Sequence, residues 1–181
     1  MVVFSVGILT PEPTLDSAMN RRVAALGITL VAVLVVGVLL LQPPLWFVDA
    51  GDFGNATVTV ADENGTQLAT VDVRVADTRQ ERRVGLMQTD SLSNGSGMLF
   101  VHPRDAQYTY HMKNMAFDID IIFVGANGTV TAVRHASAPD AGESTDTYTG
   151  RGKYVLEVPR GFANATGIEM GDEVRVPDEV T

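Results

Sequence analysis

Ala56-Thr-Val-Thr-Val60, Asn64-Gly65 and Gln67-Leu-Ala-Thr-Val-Asp-Val-Arg-Val75 form the stretch that decides the fold. Apolar β-branched residues alternate with Thr, Asp and Arg on both sides of an Asn-Gly pair. Successive side chains of a strand point to opposite faces, so this period of two buries one face and wets the other. Asn-Gly suits a tight hairpin turn because both residues tolerate positive φ. The stretch therefore predicts a β-hairpin, and the pattern returns downstream. Ile119 to Val124, Asn127-Gly128 and Thr129 to Arg134 predict a second hairpin, and Met98 to Val101, Tyr108 to Met112, Tyr154 to Val158 and Glu173 to Val176 predict further strands. Helix signals are few. Thr78-Arg-Gln-Glu81 has capping-box spacing and opens the run Arg82 to Met87. Pro159-Arg-Gly-Phe-Ala is the other candidate helix start, since proline suits a first turn. The sum is a β-rich α+β domain of ordinary size.

Upstream lies a different kind of segment. Val23 to Leu41 is a 19-residue apolar run, preceded by Arg21-Arg22 and followed by no positive charge until Arg74. As a helix it would be about 28 Å long, close to the ~30 Å hydrocarbon core of a bilayer. Positive flanks stay cytoplasmic, and Asp49 and Asp52 occupy the far side, where Trp46 and Phe47 suit an interfacial belt. A buried core helix and a cleaved signal peptide are the alternatives, the latter with Val48-Asp49-Ala50 as its site, but a signal's apolar core usually has ~7 to 15 residues. The expected organisation is a cytoplasmic tail (1–22), a transmembrane signal anchor (23–41), a Pro-containing linker (42–55) and an extracytoplasmic domain (56–177). Ser137 to Gly152, rich in Ser, Thr, Asp and Gly without apolar periodicity, is expected to be a long surface loop.

Five of the seven asparagines, Asn55, Asn64, Asn94, Asn127 and Asn164, begin the N-glycosylation triplet Asn-x-Ser/Thr, where composition alone predicts about one, and are the expected glycosylation sites of a surface outside the cytoplasm. All five follow the apolar run, on the side the arginines place outside. Turn chemistry accounts for the glycine after three of them but not for the Ser or Thr beyond. The net charge of −9 falls wholly on residues 42–181, with 20 acidic against 11 basic side chains. That balance speaks against nucleic acid, whose phosphates demand a basic footprint. Only Lys113 and Lys153 are lysines, and an acidic, lysine-poor surface suits high salt. The absence of cysteine excludes disulfides, thiolate nucleophiles and a lipid-modified cysteine anchor.

Seven motifs in order carry a resemblance: Val75-Ala-Asp-Thr78, Glu81-Arg-Arg-Val-Gly-Leu-Met87, Gly97-Met-Leu-Phe-Val101, Met112-Lys-Asn114, Ile119-Asp-Ile-Ile-Phe123, Lys153-Tyr-Val-Leu-Glu-Val-Pro159 and Gly171-Asp172. Together they resemble the domain of unknown function 192 family over roughly Thr57 to Val176. The resemblance implies a small β-rich domain, found in prokaryotes after a signal sequence or anchor, with no established biochemical activity. The expected architecture is a compact barrel-like antiparallel sheet with one or two short helices, preceded by one transmembrane helix. His111 stands where the family usually has an aromatic before the methionine.

Candidate function concentrates between Tyr108 and Asp120. Lys113 and Asn114 suit a carboxylate, phosphate or sugar hydroxyl, because an ammonium offers three donors and an amide offers both donors and acceptors. Tyr110, His111, Asp118 and Asp120 adjoin them in sequence, and Arg82 and Glu157 are placed at the same cleft. The competing account is structural: Lys113 paired with Asp118, Asp120 or Glu157, and Asn114 closing a turn. Tyr108, Tyr110 and Met112 would share one strand face, with Thr109, His111 and Lys113 on the other. His102, His111, His135, Met87, Met98, Met112 and Met115 raise a Cu(I) site, but methionine is more often a core filler. No paired-histidine spacing supports zinc, so neither metal nor cofactor is expected. No nucleophile elbow, phosphate loop or dinucleotide fingerprint occurs. The functional expectation is a binding module for a small polar ligand or a cell-surface partner. A structural accessory of a cell-envelope complex and a hydrolase using Asp118 and Asp120 are the alternatives.

Overall fold

A computed structural model describes residues 53–140 and 146–180, which belong to one unit of the chain, Asp49–Thr181. The expected tail and anchor, and most of the linker, lie outside the described residues. No helix among those described is long and apolar enough to cross a membrane.

The predicted first hairpin is present as β1 (Gly54–Ala61) and β2 (Gln67–Ala76), antiparallel with Val58 opposite Val71. Its turn is fastened by Asp62, whose carboxylate accepts from the N–H groups of Asn64 (2.9 Å) and Thr66 (2.7 Å). Those two donors hold the Asp62 carboxyl below its usual pKa. After β2 comes α1 (Arg79–Val84), with both bonds of the predicted capping box: Glu81 N–H donates to Thr78 Oγ1 (3.1 Å), and Thr78 N–H to Glu81 Oε2 (2.9 Å). Then follow β3 (Ser96–His111), β4 (Ile119–Val124), β5 (Val130–Ala136), β6 (Thr147–Pro159), α2 (Phe162–Thr166) and β7 (Glu173–Arg175).

The strands form one sheet in the order β5-β4-β6-β3-β2-β1-β7. Its edges meet at one end, where Thr129 bridges Glu173 and the N–H of Val130 donates to Asp172 O at 2.7 Å. The result is a β-rich half-barrel with two short helices. One expectation is corrected: the sheet is mixed, because β2 and β3 run parallel. A parallel pair needs a crossover, and α1 with the segment after it supplies one.

Both faces of the sheet are covered. Val58, Val71, Leu99, Ile122 and Leu156 belong to one apolar cluster, and Met98, Phe100, Ile121, Phe123 and Val155 to the other. Each of those side chains contributes roughly 1.5 to 3 kcal/mol on burial. Central β4 is buried at every position, which explains its nearly continuous apolar sequence.

Three elements differ from the sequence expectation. Met98–Val101 and Tyr108–His111 are not separate strands but the two arms of β3, bent at His102–Asp105 where its register against β6 shifts. The expected loop at Ser137–Gly152 is partly strand, since β6 begins at Thr147. Apolar periodicity is missing there because glycines make the contacts: a Cβ on Gly150 would lie 2.3 Å from the Phe123 ring. Pro159 ends β6 rather than starting a helix. The N-cap of α2 is Gly161, which offers no side chain, and Asp120 Oδ2 accepts the Ala163 N–H at 3.0 Å instead.

Candidate functional site

The candidate site is a cleft of about 230 Å³ over the second apolar cluster, walled by α1, the segment Gly85–Met87 and the bent strand β3. The capping box fixes the start of α1. One turn on, the Arg82 side chain lies back against the chain, its Nη1 donating to Asp77 O and, at 2.7 Å, to Val101 O. Gly85 ends the helix at φ 50 and lets Leu86 turn into the core, which leaves Met87 at the cleft.

The opposite wall comes from the bend in β3. Four residues, His102 to Asp105, stand between Val101 and Ala106, while on β6 only Lys153 separates their partners Tyr154 and Gly152. The extra length folds His102 back onto Tyr108, with ring centroids 3.6 Å apart and planes within 12°. His102 Nε2 also lies 2.9 Å from the Tyr110 hydroxyl, which donates to it when Nδ1 carries the imidazole proton. Tyr110 meets Phe100 and Phe123 edge-on, at 5.3 and 5.8 Å. Burial, aided by the positive charge of Arg82, lowers the His102 pKa to about 4. Burial and the neighbouring Glu157 raise that of Tyr110. Both groups are neutral at neutral pH.

Glu157 also lines this cleft, between Met98 and Ile121 in the sheet register. It is 6% exposed, and no hydrogen bond to its carboxyl occurs among the described residues. Burial pushes its pKa up to about 8, so at pH 7 it is mostly protonated. The carboxyl is open to the cleft rather than sealed from it, so water or a ligand there can hydrogen-bond to it. The cleft thus presents a neutral acid, a neutral Tyr-His pair and the Arg82 cation.

Of the predicted site residues, Arg82, Tyr110, His111 and Glu157 line this cleft together. Lys113 and Asn114 do not. Lys113 is exposed and forms no ion pair among the described residues. Asn114 closes a turn at φ 60, with its Nδ2 4.0 Å from Met87 Sδ. The two aspartates sit in different surroundings. Exposed Asp118 accepts from Ala138 N–H at 2.8 Å. Asp120 is fully buried on the other face of the sheet, 2.7 Å from His135 Nδ1 and 3.9 Å from Arg160 Nε, besides fixing α2. Strand alternation separates it from Glu157: Ile119, Ile121 and Phe123 join the Glu157 face, and Ile122 and Val124 the other. Met98 and Met112 are core residues, as their apolar pattern suggests, and no group of three or more His, Cys, Asp or Glu able to hold a metal occurs among the described residues. His102, which the sequence offers only as a copper candidate, and Tyr108, which opens the candidate stretch, join the predicted binding residues at this cleft. Their signal is the face shared by Met98, Phe100 and His102.

A larger hollow of about 640 Å³ lies between β1, β2 and the segment Gln88–Gly97, and some of its polar groups pair with one another. Thr57 Oγ1 donates to Asp72 at 2.8 Å, and Arg74 donates to Thr89 at 2.7 Å while stacking over Phe53.

The fold and cleft define a class: a small β half-barrel with one buried, unpartnered acid beneath an aromatic wall. The chain belongs to the DUF192 family, described as uncharacterized ACR, whose pattern it matches over residues 59–176. It is 29% identical over 106 residues to a UPF0127 protein of Thermococcus sibiricus, an alignment covering 56% of this chain and 64% of that relative. A protein of unknown function from Novosphingobium aromaticivorans has a similar solved structure, with TM-score 0.60, 29% identity and coverage of 74% of this chain and 90% of that one. A protein from Sinorhizobium meliloti described as a proposed transcription regulator shares the fold at TM-score 0.60 and 24% identity, covering 68% of this chain and 94% of that one.

Proposed function

We propose that this chain is a membrane-anchored, extracytoplasmic binding module whose cleft takes a small polar ligand bearing a carboxylate or hydroxyls. The observation that carries the reading is Glu157, a 6% exposed carboxyl that lines the cleft without a hydrogen-bond partner among the described residues. A protonated acid can donate to a ligand carboxylate or hydroxyl while its other oxygen accepts. Arg82 adds positive charge, and the Tyr110 hydroxyl and His102 add a switchable donor and acceptor. The ligand centre is therefore Arg82, His102, Tyr110 and Glu157 rather than Lys113 and Asn114. The 20 acidic against 11 basic residues beyond position 41 argue against a nucleic-acid role for this chain.

The test is thermal unfolding at pH 7 with acetate, glucuronate and glucose as probes. Glucuronate is expected to raise the wild-type Tm and to leave Glu157→Gln and Arg82→Met unmoved, because a ligand that binds only the native state stabilises it by mass action. If wild type and both variants shift equally with all three probes, the cleft is not the binding site.

A further inference from the structure

We propose that N-linked glycans on Asn55, Asn127 and Asn164 cover three surface hollows of the half-barrel and leave the Glu157 cleft open. The proposal rests on the extracytoplasmic reading above. All five asparagines of the triplets are exposed. Asn64, Asn94 and Asn127 precede glycines at positive φ, so turn geometry by itself accounts for an asparagine there. It does not account for the other two. Asn55 lies within β1 and Asn164 within α2, each followed by alanine and then threonine.

Placement adds a second line of argument. Three hollows other than the cleft each have one of these asparagines in the wall: Asn55 beside Thr57 and Leu92, Asn127 beside Tyr154, and Asn164 beside His135 and Met170. None lines the Glu157 cleft. Met170 is 71% exposed, an unusual position for a large apolar side chain, and it shares its hollow with Asn164. A sugar chain rooted there would cover it. At Asn127 the side-chain oxygen accepts from Thr129 N–H at 3.2 Å, so the amide nitrogen Nδ2 is not the atom that this turn engages.

The modification is a glycosyl transfer from a lipid-linked sugar phosphate. Nδ2 bonds to the anomeric carbon, the bond from that carbon to the phosphate oxygen breaks, and the proton lost from Nδ2 leaves with the lipid phosphate. No electrons change hands.

The experiment compares the full chain purified from its own cells with the same chain from a host lacking N-glycosylation. Glycopeptide mass spectrometry is expected to find sugar at Asn55, Asn127 and Asn164 and none at Asn20 or Asn114. On peroxide treatment Met170 should oxidise several-fold more slowly in the native chain, while Met115, at the cleft, reacts equally in both. Sugar without protection of Met170 would overturn the covering role. Bare asparagines in a chain whose exposed Lys113 is labelled on intact cells by a membrane-impermeant amine reagent would overturn the proposal and leave the extracytoplasmic reading standing. Bare asparagines with Lys113 unlabelled would overturn both.

Discussion

Glu157 keeps its proton over a pH range in which an unfolded glutamate loses it, and this gives the residue a measurable signature. Its pKa is about 8 in the fold against an ordinary 4.5. Between those values the native state binds more protons than the unfolded one, so unfolding free energy falls as pH rises. His102 acts in the opposite sense. Its pKa of about 4, below the ordinary 6.5, makes stability fall as pH drops from 6.5 towards 4. The two effects oppose each other below 6.5, and the loss due to Glu157 stands alone between 6.5 and 8. Over that window urea unfolding should show a loss of about 2 kcal/mol, which Glu157→Gln should abolish. Equal pH slopes in wild type and variant would mean that Glu157 is ionised in the fold. At this scale the sequence was partly legible. A glutamate in an apolar strand stands out, as do the arginine beside a helix start and the tyrosine of a period-two run. Lys113 lies outside the Glu157 cleft; rarity in composition says nothing of position. The pairing of His102 with Tyr108 and Tyr110 was not legible, because the bend that folds it back has no local signature beyond Pro103.

Among the elements, α2 shows how a short helix is held without a side-chain cap. Its first turn has orphan N–H groups and a glycine N-cap, so stabilisation comes from Asp120 on β4, which also binds His135 on β5. This one carboxylate ties two strands to a helix. Asp120→Ala removes an acceptor from two donors at a fully buried position and should destabilise the fold by roughly 2 to 4 kcal/mol in urea unfolding. A folded, equally stable variant would instead free Asp120 for chemistry, and the hydrolase reading would regain its central residue. Element existence was well marked where local chemistry decides it: both hairpins through alternation and Asn-Gly, and α1 through its capping box. It was poorly marked where the partner is distant. Thr147–Gly152 reads as loop because its strand identity depends on Gly150 accepting the Phe123 ring, and Pro159 reads as a helix start because nothing nearby reveals that Asp120 caps α2 from 43 residues away.

For the molecule as a whole, strand order and the parallel β2–β3 pair were not legible, since pairing between distant segments is set by the closed sheet rather than by any one stretch. Charge and hydropathy act at this scale too, and together they specify how the chain should partition. Residues 42–181 hold the entire net charge of −9 and would be repelled by anionic lipid, so on the proposed anchored reading membrane retention falls to Val23–Leu41. Its six Leu, six Val and one Ile favour insertion by at most about −4 to −8 kcal/mol. The full chain should therefore sediment with membranes, resist extraction by high salt and alkaline carbonate, and dissolve in detergent. A chain lacking residues 1–48 should appear in the soluble fraction. Release of the full chain by salt alone would replace the span with a peripheral contact. A soluble form whose N-terminus follows Ala50 would replace the anchor with a cleaved signal, still outside the cytoplasm. Sedimentation of the truncated chain would place the membrane contact in the half-barrel itself, against the sign of its charge.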